Sequence, residues 1–595
     1  MGKKVIGNRV YAILLVLTLA ILIRSLPAWT NAAWGGDLGI YFGIASRMLE
    51  SKEIFVNYDG WGNSYQYFPM LYIISLAIHT ITGLDLMTAM VKFAPILGGL
   101  TVLIFYFIIM ELTRNRKIAL TSSALLAVAP FHVYQTSHAA PLTVGHFFML
   151  LSILFFIKYR ENRKFFPLLL LSTFLLILSH HLTTYFYLIT IAGMIVWRNF
   201  KFNISRRENI HDIVYFVTTS VLAFSYWRFI AKPVYFSFMR SGMGLEPWQT
   251  ILLYFSLFFT SMLVVKKLKK SRNIHRILSG ISMRWCQNFT KVLLLSFTAI
   301  VSLEIPFLFF KIPATNVKMN LMAILLSIPI IAFSSFAAAG IPFLSLSKKR
   351  SFLQGWLLVI SLSLLYALFT ENTTLYPDRH IEYLMVPMSA SAAFGIVEIE
   401  KRIEIDFQTL RKKFRHISTD VAVISILVAI ILSNAFVVYP ARYSFGNLDE
   451  RFSDACFSAI EWLKEHTNSS DTIATDLRLS DFVWAYGMNA TFDKTNITWS
   501  CTDWRNCLDE LRGNENYSKV TYILIDDVMR NSVVYLNVDL QVYMTNESYE
   551  KFLREPFELV YRNATIDSSG EEIHWAEVYR VNWTYIEEFE ERTSS

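Results

Sequence analysis

Apolar blocks long enough to cross a bilayer recur along about the first 440 residues of this chain, and every other reading has to fit them. The plainest are "YAILLVLTLAILI" (11–23), "ILGGLTVLIFYFIIM" (96–110), "FFMLLSILFFI" (147–157) and "VAVISILVAIILSNAFVV" (421–438). A span needs about 20 mostly apolar residues, and with their flanks these blocks reach that length. Over all 595 residues 54% are hydrophobic and 17% charged, too apolar for a soluble protein of this size. The chain reads as a polytopic α-helical membrane protein. Its first block lacks a small-residue cleavage site and reads as a retained span.

Short basic loops separate the blocks. "MGKK", "RNRK" (114–117), "KYRENRK" (158–164), "RNFKFNISRR" (198–207), "KKLKKSRNIHR" (266–276), "KKR" (348–350) and "KRIEIDFQTLRKKFR" (401–415) fall on the cytoplasmic side by the positive-inside rule. Alternating them with the cation-poor loops predicts 13 spans: 10–28, 88–112, 118–134, 142–158, 165–179, 182–198, 211–229, 250–265, 292–310, 321–344, 352–370, 380–397 and 418–438. The N-terminus is then cytoplasmic and the C-terminus extracytoplasmic, in a multi-pass protein of the cell membrane. "FPMLYIISLAIHTITG" (68–83) is short for a span and reads as an interfacial or re-entrant helix.

Residues 1–440 form the membrane domain, with a first outer loop at 29–87, and residues 441–595 form an extracytoplasmic one. From Pro440 onward there are 14 Lys and Arg against 28 Asp and Glu, so the formal charge of +8 conceals a basic membrane part and an acidic tail. The positive charge lies in loops between spans, which argues against nucleic-acid binding. Glycosylation sequons follow the last span at Asn468, Asn489, Asn496, Asn516, Asn546, Asn563 and Asn582, with one more at Asn372 in an outer loop. They agree with an outside tail, although Asn203 and Asn288 also match the motif on the inner side. In the tail, 452–467 has helical spacing and "TIAT", "VTYILI", "FELVYR" and "HWAEVYRV" read as strands, making a small α/β domain. Cys501 and Cys507 are close enough in sequence for a short-loop disulfide, and no cysteine spacing suggests a metal.

Polar residues gather at the outer mouths of spans: Asp37, Asp59, His138, His180, His181, Arg240, Glu246, Asp378, Arg379 and His380. Asp37 has two readings. It caps the amphipathic helix "LGIYFGIASRMLES", or it is a general base beside a lipid headgroup. The pair His180–His181 reads as a polar turn or a phosphate contact, and His138 invites the same choice. In "YPDRHIEY" (376–383), Asp378, Arg379 and His380 open a span either as a capping cluster or as a phosphate clamp at a helix N-terminus. No phosphate-binding glycine loop, nucleophile elbow or HExxH is present.

An acid just after span 1, an amphipathic outer loop, 13 spans and an extracytoplasmic C-terminal domain together resemble the GT-C superfamily of glycosyltransferases. "GGDLGIYFGIASRMLES" looks like the first outer loop of its protein mannosyltransferase and aminoarabinose transferase branch, and "YQYFPMLYIISLAI" is similar to the second juxtamembrane element. The origin looks archaeal. The resemblance implies transfer of a sugar from a polyprenyl-phosphate donor to a glycan, lipid or protein acceptor at the outer face, with inversion. It implies Asp37 as base, Arg379, His380, His180 and His181 at the donor phosphate, and Tyr41, Asp59, His138, Arg240 and Asp378 as substrate contacts. A divalent metal serves some relatives, and no ligand set here calls for one. Leu38 follows Asp37, so the Asp-Glu pair of many relatives is missing. The chain also has "WAYG" (484–487) where oligosaccharyltransferases carry WWDxG. The second departure, a motif without its acid, favours a monosaccharide transferase over an oligosaccharyltransferase-like enzyme. A transporter or flippase of lipid-linked saccharides shares the many spans but should show internal repeats, which are not seen.

Overall fold

The computed structural model describes residues 2–594 except 61, 241–244, 272–280, 312–318, 371–374, 376, 411–418, 447–448 and 538–539. For 2–9, 345–346, 378, 400–410, 419–423, 441–446 and 594 the backbone alone is described. Asn372 lies outside the described residues.

Among the described residues each of the 13 predicted spans is largely helical. The first helices are α1 (Gly2–Thr30), α2 (Leu38–Ser51), α3 (Met70–Thr82), α4 (Leu86–Thr113), α5 (Arg116–Ala127), α6 (Pro130–Thr136), α7 (Pro141–Glu161), α8 (Phe166–Ile177) and α9 (His181–Lys201). Helices Arg206–Phe229, Pro247–Leu268, Phe289–Glu304, Leu321–Gly340, Ser351–Phe369, Pro377–Leu410 and Thr419–Gly446 complete the set. Among the described residues 8 helices are long and apolar enough to cross a membrane, or 9 if a bent pair counts as one. The exposed Leu14, Leu15 and Leu22 on α1, and Leu257 and Leu263 on Pro247–Leu268, suit lipid contact. The α3 segment is short and apolar, as the sequence predicts.

One expected span departs from a straight rod. Residues 118–134 form α5 and α6, bent by 64°. Pro130 is the first residue of α6 and cannot continue the ladder of α5, which frees carbonyls at the break. Arg24 of α1, fully buried, donates to Ala127 O at 3.1 Å and Leu126 O at 3.4 Å, and to Thr136 Oγ1 at 2.8 Å. A buried guanidinium thereby satisfies backbone groups that an unbroken helix would pair internally. Beyond the bend, Tyr134 and His138 meet Glu450, and Gln135 meets Arg379.

Beyond the spans, strands β3 (Thr472–Ala474), β4 (Asn489–Thr491), β5 (Val520–Asp526), β8 (Phe557–Ile566) and β9 (Glu572–Val581) make a mixed sheet in the order β4-β3-β5-β9-β8. β3 runs parallel to β4 and β5, whereas β9 is antiparallel to β5 and β8. Helix Asp454–His466 packs on β8 and β9, burying Ile460 and Leu463. Strands β6 (Val534–Asn537) and β7 (Leu540–Val542) form a separate hairpin.

Two contacts seat this domain on the membrane part. β1 (Ala33–Trp34) pairs antiparallel with β2 (Arg451–Phe452). Helix α2 lies on helix Leu477–Ala485 through Gly39 and Gly43. A Cβ at Gly39 would come within 2.6 Å of the Asp481 backbone, and one at Gly43 within 2.3 Å of the Trp484 ring. Arg47, one turn on, stacks over Trp484 at 3.8 Å and donates to Trp484 O at 3.2 Å.

Candidate active site

Asp37 stands between β1 and α2, at the N-cap position of α2, yet its carboxylate makes no capping hydrogen bond. It turns away from the helix start. Its Oδ2 accepts from Tyr41 Oη at 3.2 Å and from Tyr65 Oη at 3.4 Å. Tyr41 lies one turn along the same face of α2, and its ring meets Tyr65 edge-on with centroids 5.0 Å apart. Among the described residues only these tyrosines donate to the carboxylate, both to Oδ2, which leaves Oδ1 for another donor.

Glu450, just before β2, is held by the same junction. Its Oε2 is 2.7 Å from His138 Nε2 and accepts from Tyr134 Oη at 2.6 Å. The His138 ring stacks on Trp34 at 4.1 Å, and its Nδ1 lies 2.8 Å from Tyr134 O. Gly35, in the left-handed region at φ 127°, donates to Glu450 O at 2.9 Å. Burial, and then the neighbouring Glu450, push the Asp37 carboxyl above its usual value. Arg379, the Tyr41 hydroxyl and His138 oppose them.

Arg379, in the first turn of Pro377–Leu410, supplies the nearby positive charge. Its side chain is 33% exposed; it donates to Gln135 Oε1 and lies 3.8 Å from Glu382 Oε2. Beside it His180 caps α9, its Nδ1 accepting from Thr183 N at 3.3 Å. Thr183 Oγ1 is 2.7 Å from Tyr383 Oη, a buried contact that ties the first turn of α9 to the second turn of Pro377–Leu410.

No protein-family model and no curated protein matches this sequence. Solved structures do. The archaeal oligosaccharyltransferase AglB from Archaeoglobus fulgidus, in complex with an inhibitory peptide and a dolichol-phosphate, superposes with a TM-score of 0.58. The match has 12% identity over 88% of this chain and 69% of that one. An apo form of the A. fulgidus oligosaccharyltransferase gives 0.56, with 12% identity over 95% and 74% of the two chains. The chain has the GT-C fold. ArnT from Cupriavidus metallidurans, bound to undecaprenyl phosphate, matches at a TM-score of 0.40, with 11% identity over 95% and 97% of the chains.

Within this GT-C fold the expected residues divide. Tyr41 donates to Asp37, and Arg379 and His138 act on its charge, whereas His180 is tied to Thr183 and, among the described residues, makes no hydrogen bond or ion pair to Asp37. His181 lies beside His180, its ring against Phe68 and Phe238. His380 is buried, with Nε2 2.8 Å from Ser363 Oγ and Phe186 edge-on to its ring. Arg240 is exposed and paired with Glu246 at 3.1 Å, and Asp59 is exposed beside Asn57; neither is tied to Asp37. The side chain of Asp378 lies outside the described residues. Cys501 and Cys507 are unbonded thiols rather than the expected disulfide, yet they touch. A hydrogen bond with Cys507 lowers the Cys501 thiol to about 7. Asn468, Asn489, Asn516 and Asn546 are exposed, while Asn496, Asn563 and Asn582 are half-buried. No cluster of three metal-binding side chains is present among the described residues.

Sequence reasoning passes over Glu450, Asp481, Gln135 and Tyr65. The first two sit in an acidic tail more than 400 residues from Asp37, where nothing local separates them from solvated surface acids.

Proposed function

We propose that the chain is a membrane glycosyltransferase that moves a sugar from a polyprenyl-phosphate donor to an acceptor hydroxyl at the outer face, with inversion. The fold supports a transferase of this general kind, and one observation carries the chemistry. A carboxylate with one oxygen held by two tyrosines and the other open stands in the field of a partly exposed arginine. Asp37 Oδ1 takes the proton as the acceptor oxygen attacks the anomeric carbon. The bond from that carbon to the phosphate oxygen breaks, and the lipid phosphate leaves with the electron pair. Arg379 and the helix N-termini at His180 and Pro377 hold the charge that develops there. A carboxyl raised by burial is a better base than a free one, because its conjugate acid is weaker. Tyr41 and Tyr65 orient it, and Glu450 with His138 braces the loop that presents it.

The likeness to AglB supports a second reading, in which the donor carries an oligosaccharide. Purified protein in nanodiscs, given dolichyl-phosphate monosaccharides or a lipid-linked oligosaccharide, distinguishes the two by which donor is consumed. Transfer with inversion is expected, and about a 10²-fold loss in Arg379→Ala. Full activity in a folded Arg379→Ala removes the phosphate assignment.

A further inference from the structure

A second polar feature lies at the far end of α9. His180 caps the start of that helix and Lys201 is its last residue, so the two stand about 30 Å apart. Around Lys201 is a cavity of about 500 Å³, lined by Lys201, Asn203, Lys266, Lys269 and Lys270. Four of its lining residues are lysines and none is an acid.

Two helix ends build the cavity. Helix Pro247–Leu268 closes with Lys266 and Lys267 in its last turn, and the chain runs on through Lys269 and Lys270. Lys269 reaches across to the end of α9, where its ammonium donates to Asn199 O at 3.2 Å and to Phe202 O. The last turn of a helix leaves such carbonyls without internal partners, so this lysine joins the two helices. Lys201 lies over the Trp197 ring at 5.5 Å. Among the described residues the ammonium groups of Lys201, Lys266 and Lys270 make no hydrogen bond or ion pair. Nor does the local sequence bring an acid: "RNFKFNISRR" (198–207) and "KKLKKSRNIHR" (266–276) contain none.

The positive-inside pattern accounts for cations at this end of the bundle, but not for cations gathered around a cavity without a counterion. Neighbouring basic segments do meet acids. Arg160 and Arg198 share Asp212, Lys158 lies 2.9 Å from Glu111, and Lys348 lies 3.2 Å from Glu208. Like charges held together repel, and a basic cradle between spans suits an anionic headgroup. One turn before Lys266 and Lys267, Leu263 and Val264 are exposed, so apolar surface for acyl chains adjoins the lysines. The span itself needs support: only 6% of its apolar window is buried in the protein.

We propose that this cavity binds the phosphate of an anionic phospholipid, whose chains lie along Leu263 and Val264. Lys201, Lys266 and Lys270 donate to the phosphate oxygens, and Lys269 holds the two helix ends in place. The bound lipid staples Pro247–Leu268 to α9. This site is independent of the chemistry proposed at Asp37.

The test titrates the full chain, purified in dodecyl maltoside, with dioleoylphosphatidylglycerol and counts bound lipid by native mass spectrometry. Dioleoylphosphatidylcholine and soluble glycerol phosphate are the comparison probes, and a melting curve accompanies each titration. Wild type should retain phosphatidylglycerol in preference to phosphatidylcholine and melt higher with it. The double variant Lys266→Gln, Lys270→Gln should bind phosphatidylglycerol about tenfold more weakly and lose the rise in melting temperature. Lys266→Arg with Lys270→Arg keeps both charges and should stay within about twofold of wild type, as should Arg206→Gln with Arg207→Gln, which removes two cations that do not line the cavity. Undiminished binding by the Lys→Gln pair overturns the proposal, as does an equal loss in the Arg206 and Arg207 pair. So does a wild type that shows no preference for phosphatidylglycerol, or one whose rise in melting temperature is matched by glycerol phosphate at the same concentration.

Discussion

Glu450 and His138 are 312 residues apart in sequence and 2.7 Å apart in the structure, and their contact locks the start of the C-terminal domain to the broken third span. Glu450 also raises the Asp37 carboxyl. Glu450→Gln removes that charge, so the acidic limb of the activity profile should move to lower pH. Arg379→Lys keeps the charge that lowers Asp37 and should leave the limb in place, whereas Arg379→Ala should move it to higher pH. Initial rates between pH 4 and 8 decide the matter; a limb that ignores Glu450 contradicts the coupling.

Gly39 and Gly43 sit four residues apart on one face of α2, where alanine ordinarily gains about 1 kcal/mol of helix propensity over glycine. Here the added methyl at Gly39 meets the Asp481 backbone, which cannot yield as a side-chain tip can. Overpacking of this kind costs about 1–3 kcal/mol. Gly39→Ala should therefore lower the melting temperature and the rate together. Differential scanning fluorimetry that shows a stabilised Gly39→Ala would rule out the close contact.

Asp37 bears on stability as well as on rate. Its carboxyl is raised above the unfolded value of 3.8, so the fold favours the protonated form. That stabilisation is present below the unfolded pKa and is lost as pH rises through the folded one. At pH 7 Asp37→Asn should melt no lower than wild type, and the advantage of the wild-type chain should return on acidification. A variant that melts well below wild type at pH 7 contradicts the sign.

Cys501 and Cys507 touch, and the Cys501 thiol is lowered to about 7, which makes it a ready thiolate. If the tail is extracytoplasmic, protein from the native membrane should carry this pair as a disulfide, and its sequons at Asn468 and Asn516 should bear glycans. Intact mass before and after reduction, and before and after deglycosylation, tests both. Two free thiols with bare sequons would contradict that orientation.

Much of this architecture is legible in the sequence because bilayer length and charge asymmetry act locally. Each apolar block between basic loops folds as a helix. The bend in 118–134 is not read from the sequence, although Pro130 is its local trace; its partner Arg24 lies about a hundred residues upstream in what reads as an ordinary span. At the site, Asp37, His138 and Arg379 stand out because they are polar groups at apolar mouths. Glu450 does not, since an acidic tail of 28 acids hides it. The glycines at 39 and 43 are the local trace of their docking, for only a close backbone approach makes both useful in an amphipathic helix.

The central claim is that Asp37 takes the acceptor's proton, and the direct measurement is the transfer rate of purified Asp37→Asn from dolichyl-phosphate donors beside its melting curve. A folded variant slowed by about 10²–10⁴-fold is the expected result for a lost general base. Full transfer by a folded Asp37→Asn would contradict it.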